Sequence, residues 1–143
     1  MEFIDFLMRH PILSGIALVL TVLLIANELS GRLQKFANLS VPEVARKTGR
    51  DNTLLIDVRE PDEWRSGHIK GARHIPLGKL SDKIEELQKK DQDKDIVIYC
   101  RSGNRSATAA SMLVKAGFEQ VGHLAGGIVA WEAEKYPVTR GKK

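Results

Sequence analysis

The chain opens on one long apolar stretch and then changes to short apolar runs separated by amphipathic segments. From Pro11 to Ala26 it reads PILSGIALVLTVLLIA, with no charge and no polar stripe of helical period, which argues against a core helix with one wet face. At about 1.5 Å per residue this segment spans about 24 Å. Phe3, Ile4, Phe6, Leu7 and Met8 upstream and Leu29 downstream extend it toward the roughly 30 Å of a hydrocarbon core, so residues 1–29 read as a single-pass transmembrane anchor. A cleaved leader fits less well, because Glu2 and Asp5 stand where a basic start is needed and IANELSG is a poor cleavage site. Flanking charge sets the orientation. Arg9 is nearly alone before the segment while Arg32, Lys35, Arg46, Lys47 and Arg50 follow it, which predicts an inner membrane location with the remainder facing the cytoplasm.

Residues 30–38 read as a linker, 39–140 as one folded domain and 141–143 as a polar tail. Ser40 and Glu43 have the capping-box spacing that opens a short helix ending near Gly49. TLLIDV (53–58) and DIVIYC (95–100) are apolar runs rich in branched side chains, as buried strands are. Pro61 starts a helical turn that Gly67 stops, residues 72–75 supply a short strand, and Leu80, Ile84 and Leu87 recur at helical spacing. A helix beginning between Asn104 and Ala107, a last strand over 119–123 and a helix ended by Pro137 complete the pattern. Strands alternating with helices, none with two-period polarity, predict an α/β fold whose parallel sheet is covered on both faces. Ligands of such sheets bind beyond the carboxyl ends of strands, and Cys100 lies at such an end.

Composition narrows the chemistry. A net charge of +4 is mild, and stretches such as SDKIEELQKKDQDKD mix both signs, which describes a solvated surface and excludes a nucleic-acid stripe. One cysteine permits no intramolecular disulfide and no zinc cluster. No metal and no organic cofactor is expected, and a working thiol suits a reducing compartment.

A lone cysteine is usually a small buried hydrophobe, so Cys100 needs a local reason to be more. The loop CRSGNR supplies one. A tight turn from strand into helix converges its N–H groups on one point and places the helix N-terminus behind them, which favours an anion or a thiolate. Arg101 and Arg105 add cations, and Gly103 permits backbone angles closed to other residues. An activated sulfur nucleophile beside an anion site follows. Ser106 reads as a helix-start hydroxyl and Ser102 as an extra donor.

These residues resemble the rhodanese family of sulfurtransferases. The resemblance is carried by LLIDVREPDEWRSGHIKGARHIP, IVIYCRSGNRSATAASMLVKAGF and LAGGIVAWEAEKYPV, and runs from about Leu39 to Arg140. It implies that Cys100 is the nucleophile that holds a sulfane sulfur as a persulfide, delivered by an anionic donor such as thiosulfate and removed by a thiol or cyanide. It further implies that the amides of Arg101, Ser102, Gly103, Asn104 and Arg105 cradle the sulfur, while the Arg101 and Arg105 side chains orient the donor. Asp57 and Arg59 fall on the family's D-x-R, either as supports of the active-site wall or as a plain surface ion pair. Trp64, His68 and Gly71 match W-x-x-x-H-I-x-G-A, where the histidine is structural, and Gly126, Gly127 and Trp131 match the closing signature, which reads as packing. His74 and His123 read as ordinary polar positions. Phosphatases with a similar loop leave five residues between Cys and Arg, whereas four separate Cys100 from Arg105, so phosphatase or arsenate reductase is a minor alternative. The main rival is a membrane-tethered binding module that recruits a protein partner, since a fold does not by itself determine function.

Overall fold

The computed structural model describes residues 1–32 and 36–141; positions 33–35 of the expected linker and 142–143 of the expected tail lie outside the described residues. The chain divides into two compact units, an N-terminal helical one and an α/β domain.

The first unit contains α1 (Glu2–Arg9) and α2 (Pro11–Arg32), so the expected single helix over 1–29 is in fact interrupted. Proline causes the break. Pro11 has no N–H to continue the upstream ladder and excludes helical angles at the residue before it, and His10 accordingly sits at φ −126°, ψ 64°. The Ser14 hydroxyl donates to the Leu7 carbonyl at 3.1 Å, so a backbone oxygen near the junction still has a partner. Within α2, Pro11–Leu29 is a 19-residue span of mean hydropathy 2.2, with none of it buried by protein. It is long and apolar enough to cross a membrane.

The domain runs β1 (Ala37–Leu39), α3 (Val41–Lys47), β2 (Thr53–Asp57), α4 (Pro61–Ser66), β3 (Arg73–His74), α5 (Leu77–Asp91), β4 (Asp95–Tyr99), α6 (Asn104–Lys115), β5 (Val121–Leu124) and α7 (Gly127–Ala133). Its five strands are ordered β1-β5-β4-β2-β3 and every pair is parallel. Alternation along the strands divides the core. Leu54, Ile56, Ile96, Ile98 and Val121 meet Leu80 and Leu87 of α5 and Ala109, Ala110 and Leu113 of α6 on one face. Leu55, Val97, Tyr99 and Leu124 meet Val41 and Val44 of α3 and Ile128 and Trp131 of α7 on the other. The expected sandwich of helices over both faces is present. The Ser40 capping box is present too, with the Glu43 carboxylate accepting from Ser40 N–H at 2.7 Å.

One boundary differs. Residues 37–39, mostly assigned to the linker from the sequence, form strand β1, which pairs with β5 through Ala37↔Gly122, Asn38↔His123 and Leu39↔Leu124. Phe36 is buried beside it in the core. A three-residue edge strand has no apolar run to announce it, and its place is set by the Phe36 and Leu39 side chains on either side.

Candidate active site

Cys100 follows β4 directly, in the middle of the sheet, and is 1% exposed. The chain then turns through Arg101–Gly103 into α6. Gly103 is the N-cap of α6 at φ 113°, in the left-handed region that a side chain disfavours, and this angle aims its N–H at the Cys100 Sγ, 3.1 Å away. The Ser106 Oγ is 3.4 Å from the same sulfur. Burial by itself pushes the thiol up. The hydrogen bond shared with the Ser106 side chain, and then those from the backbone N–H groups of Ser106, Gly103 and Ser102, outweigh it and bring the Cys100 thiol below its ordinary value.

The loop is held from behind by α7. Ile128 N–H donates to the Cys100 carbonyl at 2.9 Å and Val129 N–H to the Arg101 carbonyl at 3.2 Å. Gly127 makes this approach possible: a Cβ there would lie 2.2 Å from the Arg101 carbonyl oxygen. Gly127 is therefore packed against the active-site backbone, while a Cβ on Gly126 would meet Ala130 within α7 itself.

The two loop arginines have different surroundings. Arg101 is exposed to solvent. Arg105 forms a bidentate pair with Glu63 of α4, at 2.6 and 2.9 Å, so an internal carboxylate already occupies the guanidinium face expected to orient a donor. Asn104 is exposed at the start of α6, as is Ser102 before it.

Glu63 records this pairing in its ionisation. The hydrogen bond from Arg105, with help from Glu60 N–H, lowers its carboxyl from about 4.5 to about 2, against a smaller upward push from burial. A carboxyl whose folded pKa is depressed adds stability above its unfolded pKa and loses it as pH falls through the folded one. Wild type should therefore lose stability between about pH 4.5 and pH 2 in a component that Glu63→Gln lacks. Because both side chains keep about a third of their surface in water, the component amounts to about 1 kcal/mol. Urea midpoints at neutral pH and about pH 3, which should converge for the two proteins on acidification, check it.

Asp57 and Arg59 are not a surface pair. Asp57 is 0% and Arg59 4% exposed. The Arg59 Nη2 donates to Asp57 Oδ2 at 2.7 Å and to the Gly67 carbonyl at 2.6 Å, and Arg59 N–H donates to Asp57 Oδ1 at 2.8 Å. The pair ties the end of β2 to the turn after α4, the helix that carries Glu63. His68 and His74 both stack on Trp64, at 3.5 and 4.9 Å between ring centroids, and are structural.

His123 is the residue that sequence reasoning passed over. It lies on β5, 6% exposed, with Nδ1 2.9 Å from the Ser106 Oγ and Nε2 2.8 Å from Asn38 Oδ1. No spacing in the chain links positions 38, 106 and 123; only the sheet order β1-β5-β4 does. The described residues contain no cluster of three or more metal-ligating side chains.

A buried, hydrogen-bonded cysteine on a loop between a central parallel strand and a helix invites comparison with known proteins. The family profile described as a rhodanese-like domain matches residues 40–134. The chain belongs to the rhodanese-like domain family. It is 32% identical to the Escherichia coli K12 protein YibN over 142 residues, 99% of each chain. It is 38% identical over 93 residues to a protein of Allochromatium vinosum named a sulfurtransferase, covering 65% of this chain and 84% of that one. A crystal structure of a rhodanese-related protein from Thermoplasma volcanium superposes with a TM-score of 0.66 at 30% identity, over 74% of this chain and all of the other. The rhodanese-like fold, and kinship with sulfurtransferases, are thus properties of this chain.

Proposed function

We propose that this protein is a membrane-anchored sulfurtransferase that carries sulfane sulfur on Cys100, taking it from an anionic donor such as thiosulfate and passing it to a thiol or to cyanide. The observation that carries the reading is the Cys100 sulfur itself, buried yet hydrogen-bonded by Gly103 N–H and close to the Ser106 hydroxyl at the carboxyl end of β4. These donors stabilise a thiolate, which is the form that attacks sulfur.

In the first half-reaction the Cys100 thiolate attacks the outer sulfur of thiosulfate. An S–S bond to the enzyme forms, the donor's S–S bond breaks with its electron pair leaving on sulfite, and the persulfide retains one negative charge. In the second, cyanide or a thiolate attacks the outer persulfide sulfur and Cys100 departs as thiolate. No net proton or electron is exchanged, and neither a metal nor an organic cofactor is required. In this reading the amides of Gly103, Ser102 and Ser106 that face the sulfur hold the persulfide anion, exposed Arg101 is the cation that meets a charged donor, and Arg105, braced by Glu63, shapes the loop.

The α2 segment supports the anchor. Its 19-residue span of high mean hydropathy, Pro11–Leu29, reaches about 28 Å at about 1.5 Å per residue, close to a hydrocarbon core. Basic residues after it favour a cytoplasmic domain, where a thiol stays reduced. Anchoring would keep sulfur delivery beside a membrane protein or a membrane-linked donor.

The test is intact-mass spectrometry of the full chain in detergent after incubation with thiosulfate. Gain of one sulfur atom, mapped to Cys100 and removed by cyanide as thiocyanate, is expected. No adduct from thiosulfate or from a second sulfane donor, on a chain whose Cys100 is reduced and alkylatable, would overturn the reading in favour of a membrane-tethered binding module.

A further inference from the structure

The hydrogen-bond chain behind the sulfur does not stop at Ser106. Ser106 Oγ has one hydrogen and three neighbours that can receive it: the Cys100 Sγ at 3.4 Å, the His123 Nδ1 at 2.9 Å and the Gly103 carbonyl at 3.1 Å. Where that hydrogen points decides whether the sulfur gains a donor. The imidazole bears on the choice, because Asn38 Oδ1 can only accept and so holds the ring hydrogen on Nε2, 2.8 Å away. Neutral His123 then presents a bare Nδ1 to Ser106 and takes its hydrogen.

We propose that His123, oriented by Asn38, is a positioning residue that acts through Ser106 to switch a hydrogen bond toward or away from the Cys100 sulfur. When the ring is neutral, Ser106 donates to Nδ1 and the Cys100 thiol can donate to Oγ. When the ring takes a second proton, Nδ1–H donates to Oγ and the hydroxyl hydrogen is released to the sulfur as thiolate. The proton that charges the ring comes either from solvent or from Cys100 itself. In the latter case the S–H proton passes to Oγ as the hydroxyl proton passes to Nδ1, and a neutral thiol–imidazole pair becomes a thiolate–imidazolium pair with no net change of charge.

The surroundings fit a switch of this kind. His123 faces its neighbours from the inside of the fold: Asn38 from β1, Ile98 beside it on β4, Ser106 from α6, Gly103 from the loop, and the Phe36 ring edge-on at 5.4 Å. These neighbours are uncharged, and burial alone holds the imidazole below its ordinary value. Among the described residues its titratable correspondent is Cys100, reached through Ser106. Arg105 is a charged group that bears on the sulfur, and it is already paired with Glu63. Two sites coupled through a shared hydroxyl titrate together, so the thiolate population should show two inflections with pH.

The decisive measurement is the rate of Cys100 alkylation by iodoacetamide against pH, on the full chain in detergent. It reads the thiolate directly and does not require that the protein transfer sulfur, so its outcome is independent of the function proposed above. Wild type is expected to show two inflections. His123→Gln should show one, with alkylation about tenfold slower near pH 6, the size of one hydrogen bond to a charged group, and equal to wild type near pH 9.5 where the thiolate is already formed. Asn38→Asp, at an exposed position on the sheet edge, places a carboxylate opposite Nε2–H and should move the acid-side inflection up by about one unit. It keeps the test decisive if His123→Gln does not fold. A single inflection in wild type, an equal slowing by His123→Gln at every pH, or an unmoved inflection in Asn38→Asp would each overturn the proposal.

Discussion

Full-length protein carrying Cys100→Ser is expected to take up no sulfur from thiosulfate and to release thiocyanate at least about a thousandfold more slowly than wild type, the scale of losing a covalent nucleophile. The reason is ionisation. Hydrogen bonds that bring a thiol below its ordinary value can populate a thiolate, whereas the same donors acting on a serine hydroxyl leave it protonated and weakly nucleophilic. Fold and loop should survive. Serine is close to cysteine in size, its oxygen can accept from Gly103 N–H as the sulfur does, and the loop is held independently by Ile128 and Val129. The urea midpoint should therefore shift by less than about 1 kcal/mol while activity vanishes. Cys100 is the chain's one cysteine, so thiocyanate production above a tenth of wild type would mean transfer without a cysteine carrier and would end the persulfide mechanism.

Arg59→Ala should destabilise the domain by about 3–5 kcal/mol, the usual cost of leaving one member of a buried ion pair behind. Asp57 would then sit 0% exposed without its guanidinium partner, and the Gly67 carbonyl would lose the donor at 2.6 Å. Tyr99 offers little relief. Burial, and then Asp57 itself, push its hydroxyl ionisation far up, so it can share a hydrogen bond but adds no positive charge. Urea unfolding followed through Trp64 and Trp131, both within the domain, measures the loss. The double variant Asp57→Asn with Arg59→Met should recover a large part of it, because no buried charge remains. A loss below about 1 kcal/mol for Arg59→Ala would place the pair among exposed ion pairs, contrary to its burial.

Most of the fold was legible because its signals are local. Branched apolar runs at 53–57 and 95–99, with no polar alternation, announce strands covered on both sides, and the parallel sheet has just such strands at its centre. The capping box at Ser40 and Pro61 at the start of α4 fix helix starts through groups a few residues apart. The apolar N-terminal segment was equally plain, although Pro11 divides it into two helices where hydrophobicity alone suggested one. The strand at 37–39 was not legible. Three residues pair there only because β5 offers an open edge.

Within the site the same division holds. Sequence alone determined the nucleophile candidate, the strand-to-helix loop and the glycine that bends it, since all lie within a few residues of Cys100. Tertiary structure decided what each loop group faces. It paired Arg105 with Glu63 across 42 positions, buried Asp57 with Arg59, and brought His123 and Asn38 up behind Ser106. Hydrogen bonds and burial act over about 3 Å in space, and distance along the chain carries no trace of them until strands and helices are placed.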